Sequence, residues 1–95
     1  ISAGLDYPGV SPIHCFLKDT KRARYTTATD EGALNAYKLV TKLEKINPSL
    51  EPSHAFAEAI KIAPKLNKDT IIIVNSCGDA KKDRDILKAR LGKAI

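Results

Sequence analysis

The sequence has no methionine, only two cysteines and no apolar stretch long enough to cross a membrane. Its longest uninterrupted apolar stretch is the four residues Ile71–Val74, whereas a membrane-spanning helix needs about 20. With no signal peptide either, the sequence predicts a soluble, cytoplasmic protein without a membrane partner. Because the chain starts at Ile1 and lacks methionine, we also expect it to be a piece of a longer protein.

The two cysteines argue against a zinc site and against a disulfide framework. Cys15 and Cys77 lie far apart in sequence and show neither a CxxC pattern nor the spacing of Cys/His zinc ligands. Disulfides persist mainly in oxidising compartments. We therefore expect two reduced thiols in the cytoplasm.

The basic excess of the chain is mild. It has 16 basic and 11 acidic side chains, and its formal net charge is +5. The excess is spread over both halves of the chain, and no basic stripe is interleaved with aromatic residues, as single-strand nucleic-acid binding requires. The two local basic clusters, 21–24 and 81–82, are typical of a solvated surface. The sequence predicts no nucleic-acid partner.

Two amphipathic helices are the clearest local signals. Thr29 is a good N-cap and is followed by two acidic residues, so a helix is predicted from about residue 30 to residue 45. It must end before Pro48, because the residue before a proline is pushed out of the helical region. A second helix, rich in alanine, is predicted from residue 52 or 53 to Pro64.

Two other stretches predict strands. Residues 24–28 are rich in β-forming residues, and Ile71–Val74 shows no polar alternation, which is typical of a strand buried on both faces of a parallel sheet. Short helices at about residues 11–18 and 83–91 complete the order. We therefore expect an α/β fold with few short parallel strands and flanking helices, as one partial domain over residues 1–95.

Two loops are candidate sites. Residues 1–12 combine two glycines and two prolines with few periodic apolar residues, which indicates an irregular loop. Residues 75–82 follow the carboxyl end of the predicted strand, where ligands bind in open α/β sheets.

The stretch Ile1–Val10, ISAGLDYPGV, closely resembles the SAGLDYPGVGP segment of tryptophan synthase β subunits. The likeness continues through residues 17–30, through PSLEPSHA at residues 48–55, which is similar to the family's PALESSHA, and to the apolar stretch at residues 71–75. The resemblance implies the C-terminal lobe of the type II fold of pyridoxal-phosphate (PLP) enzymes.

The implied activity is that of a PLP-dependent lyase of tryptophan and amino-acid biosynthesis, which joins L-serine and indole by β-replacement to give L-tryptophan. The resemblance also implies a monovalent cation, Na⁺ or K⁺, and as partners an α subunit and a second β subunit. The family's Schiff-base lysine and its phosphate-binding loop belong to earlier sequence. We therefore predict no catalytic residue in this chain and no activity for the chain alone.

In the first loop, the resemblance assigns three residues. Asp6 matches the aspartate that recognises the amino acid substrate and pairs with an arginine when the site closes. Tyr7 and Gly9 match positions whose backbone carbonyls bind the cation, and the ring of Tyr7 matches an aromatic residue beside the indole tunnel. Composition alone would make Asp6 a turn-forming residue and Tyr7 a packing aromatic.

Glu51 matches the family's glutamate near the phenolic oxygen of the cofactor ring. By itself, a glutamate just before a predicted helix is a first-turn charge that meets the helix dipole. His54, three residues later, is interpreted as a packed or capping histidine.

The second loop departs from the family pattern N-[LC]-S-G-R-G-D-K-D and reads NSCGDAKKD at residues 75–83. Aligning Gly78 puts Cys77 where the family has the serine that meets the pyridine nitrogen of the cofactor, and a one-residue shift would put Ser76 there. We assign Ser76, Cys77 and Gly78 to cofactor binding. The equal alternative is that Cys77 is a small buried apolar residue.

Two other functions stay open from the sequence. The missing Arg-Gly-Asp core of the second loop leaves room for another type II PLP enzyme or a β-like paralogue. The charge of +5 leaves room for a non-enzymatic basic module that binds an anionic metabolite or RNA, with steeply salt-dependent binding.

Overall fold

The computed structural model describes residues 1–92, which form four α-helices and three 3₁₀ turns. The α-helices are α1 (Pro12–Asp19), α2 (Asp30–Glu44), α3 (Leu50–Ile62) and α4 (Arg84–Leu91). The 3₁₀ turns are Ala3–Leu5, Ala63–Lys65 and Ala80–Asp83.

Helix α2 confirms the strongest sequence signal. The Thr29 side chain accepts a hydrogen bond from the Gly32 N–H at 3.0 Å, as an N-cap does. The helix ends at Glu44, and its C-cap, Lys45, adopts the left-handed conformation with φ 60°. One face of the helix is buried, through Ala33, Leu34, Ala36, Tyr37 and Val40.

Helix α3 packs on α2 and begins at Leu50, two residues earlier than the first predicted start. Proline is tolerated in the first turn because its missing N–H would have no partner there, so Pro52 lies inside the helix. The core joins three helices and consists of Leu34, Tyr37, Leu50 and Leu87. Leu50 and Leu87 are fully buried, and each contributes about 1.5–3 kcal/mol through removal from water.

The short helices at both ends were also predicted correctly. In α1, the Ser11 side chain accepts a hydrogen bond from the Ile13 N–H at 3.2 Å, but none of its residues is buried. Helix α4 ends at Gly92, with φ 69°, and contributes Leu87 to the core.

The predicted α/β class is wrong for the described residues, which are helical. No strand forms within residues 1–92, neither at residues 24–28 nor at Ile71–Val74. Ile71 and Ile73 are 85% and 91% exposed. A strand satisfies its backbone only by pairing with a neighbour, whereas a helix makes its hydrogen bonds within itself. The apolar stretch has strand character, but no other strand forms within residues 1–92 for it to pair with.

None of the helices within residues 1–92 combines the length and the apolar character that a membrane span requires.

Candidate functional site

The two candidate loops meet at the N-terminal end of α3. From the first loop, the Gly4 N–H donates a hydrogen bond to Glu51 Oε1 at 3.0 Å. From the second loop, the backbone carbonyl of Cys77 accepts a hydrogen bond from Ser49 Oγ at 2.8 Å. Ser49 and Glu51 are the N-cap and a first-turn residue of α3. The helix end therefore holds both loops in place.

Glu51 uses each carboxylate oxygen for a different partner. Oε1 accepts from Gly4, and Oε2 accepts from Lys82 Nζ at 2.7 Å. Burial by itself would raise the pKa of Glu51, but the hydrogen bonds from Lys82 and from backbone N–H groups outweigh it and lower the pKa. The side chain is therefore a carboxylate at neutral pH.

Asp83 caps the N-terminal end of α3, although it lies 33 positions after Leu50 in the sequence. It is 3% exposed, and its Oδ2 accepts a hydrogen bond from the Leu50 N–H at 2.8 Å. The first N–H groups of a helix have no partner inside the helix and attract negative charge. The side chain of the N-cap, Ser49, makes no capping bond, because it bonds Cys77 instead. Asp83 supplies the missing acceptor.

Lys82 joins the two carboxylates. Its Nζ donates to Asp83 Oδ1 at 2.8 Å as well as to Glu51 Oε2. Burial by itself would lower the pKa of Lys82, but hydrogen bonds to Asp83 and Glu51 outweigh it and raise the pKa. The ammonium is therefore kept charged between the two acids.

Two glycines allow the loops to approach α3 closely. A Cβ at Gly4 would lie 2.9 Å from Glu51 Cγ, and one at Gly78 would lie 2.9 Å from Ser49 Oγ. Gly78 also has φ +82°, which residues with a side chain rarely adopt. Both contacts thus depend on the absence of a side chain.

Two neighbouring surface cavities flank the helix end. One, of about 450 Å³, is lined by Asp6 and by Leu5 and His54 among others. The other, of about 530 Å³, shares Leu5 and His54 and is lined by Glu51. Asp6 and Glu51 therefore line neighbouring cavities, and Leu5 and His54 line both.

The orientation of His54 is set by its own helix. Its Nδ1 lies 2.7 Å from the carbonyl oxygen of Leu50 and 3.4 Å from Ser2 Oγ. A carbonyl oxygen only accepts, so Nδ1 carries the proton in the shorter contact. This contact agrees with the interpretation of His54 as a packed or capping residue.

Comparison with known proteins shows several curated relatives. The tryptophan synthase beta chain of Fusobacterium nucleatum is 61% identical over 83 residues, which are 87% of this chain and 21% of the relative. Those of Cereibacter sphaeroides and Bordetella petrii are 54% and 52% identical over 92 residues, which are 97% of this chain and 22% and 23% of the relatives. No family model matches the chain.

The chain belongs to the tryptophan synthase beta chain family. The resemblance stated from the sequence motifs is thereby confirmed. The chain spans about a fifth of the length of the curated relatives that it matches.

In this chain, the structure brings together some of the predicted site residues. Glu51 lies at the end of α3, and Cys77 and Gly78 contact Ser49 two residues before it. Ser76, on the same loop, is exposed. Cys77 is also exposed and its thiol is free, so the alternative of a buried apolar residue is wrong.

The three predicted residues of the first loop lie further out. Asp6 borders the cavity next to that of Glu51. Tyr7 is 71% exposed, and a Cβ added at Gly9 would meet no atom within 4 Å. Neither Tyr7 nor Gly9 is brought to the helix end.

Sequence reasoning missed the roles of Ser49, Lys82 and Asp83. The signal for the last two was present, because the Lys-Asp pair is what the second loop retains of the family pattern. Their contacts with α3 could not be derived, since Lys82 and Glu51 are 31 positions apart. Within residues 1–92, no group of three or more His, Cys, Asp or Glu side chains is arranged to hold a metal ion.

Proposed function

We propose that this chain works as part of a PLP-dependent lyase that joins L-serine and indole by β-replacement to form L-tryptophan. The observation that carries the proposal is the identity of 52–61%, over 87–97% of this chain, with proteins named tryptophan synthase beta chain. The two matches over 92 of the 95 residues include α2, α3 and most or all of both candidate loops.

The chemistry of the residues fits the ring of the cofactor. A carboxylate at Glu51, a thiol at Cys77 and a hydroxyl at Ser76 come from elements joined at one helix end. A Cβ at Gly4 would lie 2.9 Å from the Glu51 side chain and one at Gly78 would lie 2.9 Å from Ser49 Oγ, so both loops approach the N-terminal end of α3 closely. PLP, when bound, supplies an electron sink for reactions at the substrate's α and β carbons.

Each residue has a distinct task in this proposal. Glu51 would lie near the phenolic oxygen of the ring. Its carboxylate is ionised because its pKa is lowered. Cys77, or Ser76 in its place, offers the pyridine nitrogen a neutral hydrogen-bonding partner. Asp6 binds the polar side of the amino acid substrate and, when its loop closes, helps to exclude water.

The remaining roles concern the surroundings of the site. We propose that residues 1–12 are an active-site and cation loop, in which the backbone carbonyls of Tyr7 and Gly9 bind Na⁺ or K⁺ through oxygen ligands. Residues 75–82 are the cofactor-side loop, and residues 1–95 are one partial domain. An α subunit and a second β subunit are the proposed partners. The two free thiols suit a reducing cytoplasm.

A hybrid protein tests this function. The segment of the Fusobacterium nucleatum tryptophan synthase beta chain that matches this chain is replaced by this sequence, and tryptophan formation from serine and indole is followed with PLP present. We expect kcat/KM within about tenfold of the unmodified relative, a difference of about 1.4 kcal/mol in transition-state stabilisation. The 95-residue chain alone should be inactive.

One control variant and one contrary outcome make the result decisive. The hybrid with Asp6→Ala should bind PLP like the unsubstituted hybrid but should lose serine binding. A hybrid that folds and binds PLP yet forms no tryptophan would overturn the proposed function, because the second loop of this chain would then not support the chemistry.

A further inference from the structure

Among residues 1–92, Lys82 is the side chain that contacts both Glu51 and Asp83 at the N-terminal end of α3. Its ammonium lies 2.8 Å from Asp83 Oδ1 and 2.7 Å from Glu51 Oε2. The Lys82 side chain is 46% exposed, whereas those of Glu51 and Asp83 are 18% and 5% exposed. The lysine therefore reaches in from the surface to neutralise charge that is largely shielded from water.

The first of these contacts fixes the position of the ammonium. Asp83 is immobilised by its buried hydrogen bond from the Leu50 N–H, and it follows Lys82 directly in the chain. The ammonium is thereby held against the first turn of α3. Isolated ion pairs at the surface contribute little, but charge-assisted hydrogen bonds to a buried carboxylate are stronger and more directional.

The second contact, with Glu51, connects the ammonium to the first loop. With Oε2 of Glu51 held by Lys82, Oε1 is directed at the Gly4 N–H, 3.0 Å away. A Cβ at Gly4 would lie 2.9 Å from Glu51, so the backbone rests directly on this carboxylate. Gly4 is two residues before Asp6.

We propose that Lys82 is a positioning residue: it orients Glu51 so that the carboxylate couples the cofactor-side loop to the loop that carries Asp6. When the ammonium is removed, two like charges face each other across the vacated space. The Glu51 side chain then turns away from Asp83, and Gly4 loses its acceptor. This role rests on the proposed function for its catalytic consequence, but the coupling itself is a property of the fold.

The test compares three variants of the hybrid protein in its PLP-bound form. Lys82→Met keeps the length of the side chain and removes the charge and the donors, and Lys82→Arg keeps both. Lys81→Met is the matched control, because Lys81 is exposed and its hydrogen bonds are made by the backbone: its N–H donates to Asp79 Oδ1 and its carbonyl accepts from the Arg84 N–H. Amide hydrogen exchange of residues 3–6 and of α2 is measured without substrate.

We expect Lys82→Met to speed exchange of the Gly4 amide by about tenfold or more. The amide loses its hydrogen-bond acceptor, so it is no longer protected against exchange through local opening of the loop. Exchange in α2 should stay unchanged. Lys82→Arg should restore most of the protection, and Lys81→Met should match the unsubstituted hybrid. Unchanged exchange at Gly4 in Lys82→Met would overturn the coupling, and faster exchange throughout α2 would reduce Lys82 to a general stabiliser and overturn its positioning role.

The catalytic measurement asks whether the loss of activity appears in KM or in kcat. Since the loop with Asp6 binds serine, Lys82→Met should raise the KM for serine by about tenfold and lower kcat by a smaller factor. Equal loss in Lys81→Met would contradict the proposal. If the unsubstituted hybrid is inactive, the proposed function fails, while the exchange data still decide whether Lys82 couples the two loops.

Discussion

Two parts of the chain are rich in apolar residues: the helix pair α2 and α3, and the segment 66–79. Only the helix pair buries apolar residues in the core. The buried apolar residues of α2 lie on one face and meet α3 and Leu87, while Leu39 and Leu43 on the same helix stay exposed. In the segment 66–79, Ile71 and Ile73 are among the most exposed large apolar residues of the chain. Apolar composition thus leads to burial only where the backbone can first satisfy its own hydrogen bonds.

The largest effect expected from this comparison is a difference in stability between two apolar truncations. Leu50→Ala should lower the free energy of unfolding by about 3 kcal/mol, because it leaves a cavity in the core. Ile73→Ala, the matched control in the segment 66–79, should change it by less than about 0.5 kcal/mol. Urea unfolding of the 95-residue chain, followed by circular dichroism, measures both. Equal losses would mean that the segment 66–79 is packed as firmly as the core.

A smaller effect is expected where the segment 66–79 is attached to α3. Gly78→Ala must place a Cβ against Ser49 at φ +82°, so it should cost about 1–2 kcal/mol of unfolding free energy. Gly9→Ala is the control, because a Cβ there meets open space. The same urea titration compares the two variants. If Gly78→Ala is as mild as Gly9→Ala, the contact between Ser49 and the second loop does not persist in solution.

The smallest effect is the pH dependence of the Lys82 contacts. The pKa of Glu51 is lowered, so its contribution to stability is present above the unfolded pKa, about 4.3, and is lost as the pH falls through the folded value. The pKa of Lys82 is raised, so its contribution is present below the unfolded pKa, about 10.4, and is lost as the pH rises through the folded value.

The stability difference between the unsubstituted chain and Lys82→Met should therefore be largest between about pH 5 and pH 10, and should shrink on either side. Its size should be about 1 kcal/mol, because the lysine is half exposed and screened by water. Urea unfolding at a series of pH values measures it. A difference that does not change with pH would mean that the charges of Lys82 and Glu51 are not what stabilises the contact.

The limits of sequence reasoning are clearest at the site. The matching motifs led to the correct family and to both loops, and the structure joins those loops at α3 as neighbours of Glu51. The α/β fold was wrong because Ile71–Val74 has the composition of a buried strand, and composition does not tell whether a partner strand is present. Tyr7 and Gly9 were assigned through the motif, and the structure leaves both exposed.

The sequence by itself determined the four helices and, to within about one residue, the ends of α1, α2 and α4, because caps such as Thr29 and Ser11 act on backbone groups only a few residues away. The start of α3 was predicted two residues too late. Only the tertiary structure decided that Gly4, Glu51, Lys82 and Asp83 form one network. Its hydrogen bonds to Glu51 span 47 and 31 positions, and the cap on Leu50 spans 33. Contacts between residues so far apart in sequence depend on how the helices pack. No local pattern encodes them, because in its local sequence each of these residues resembles an ordinary surface charge or a turn residue.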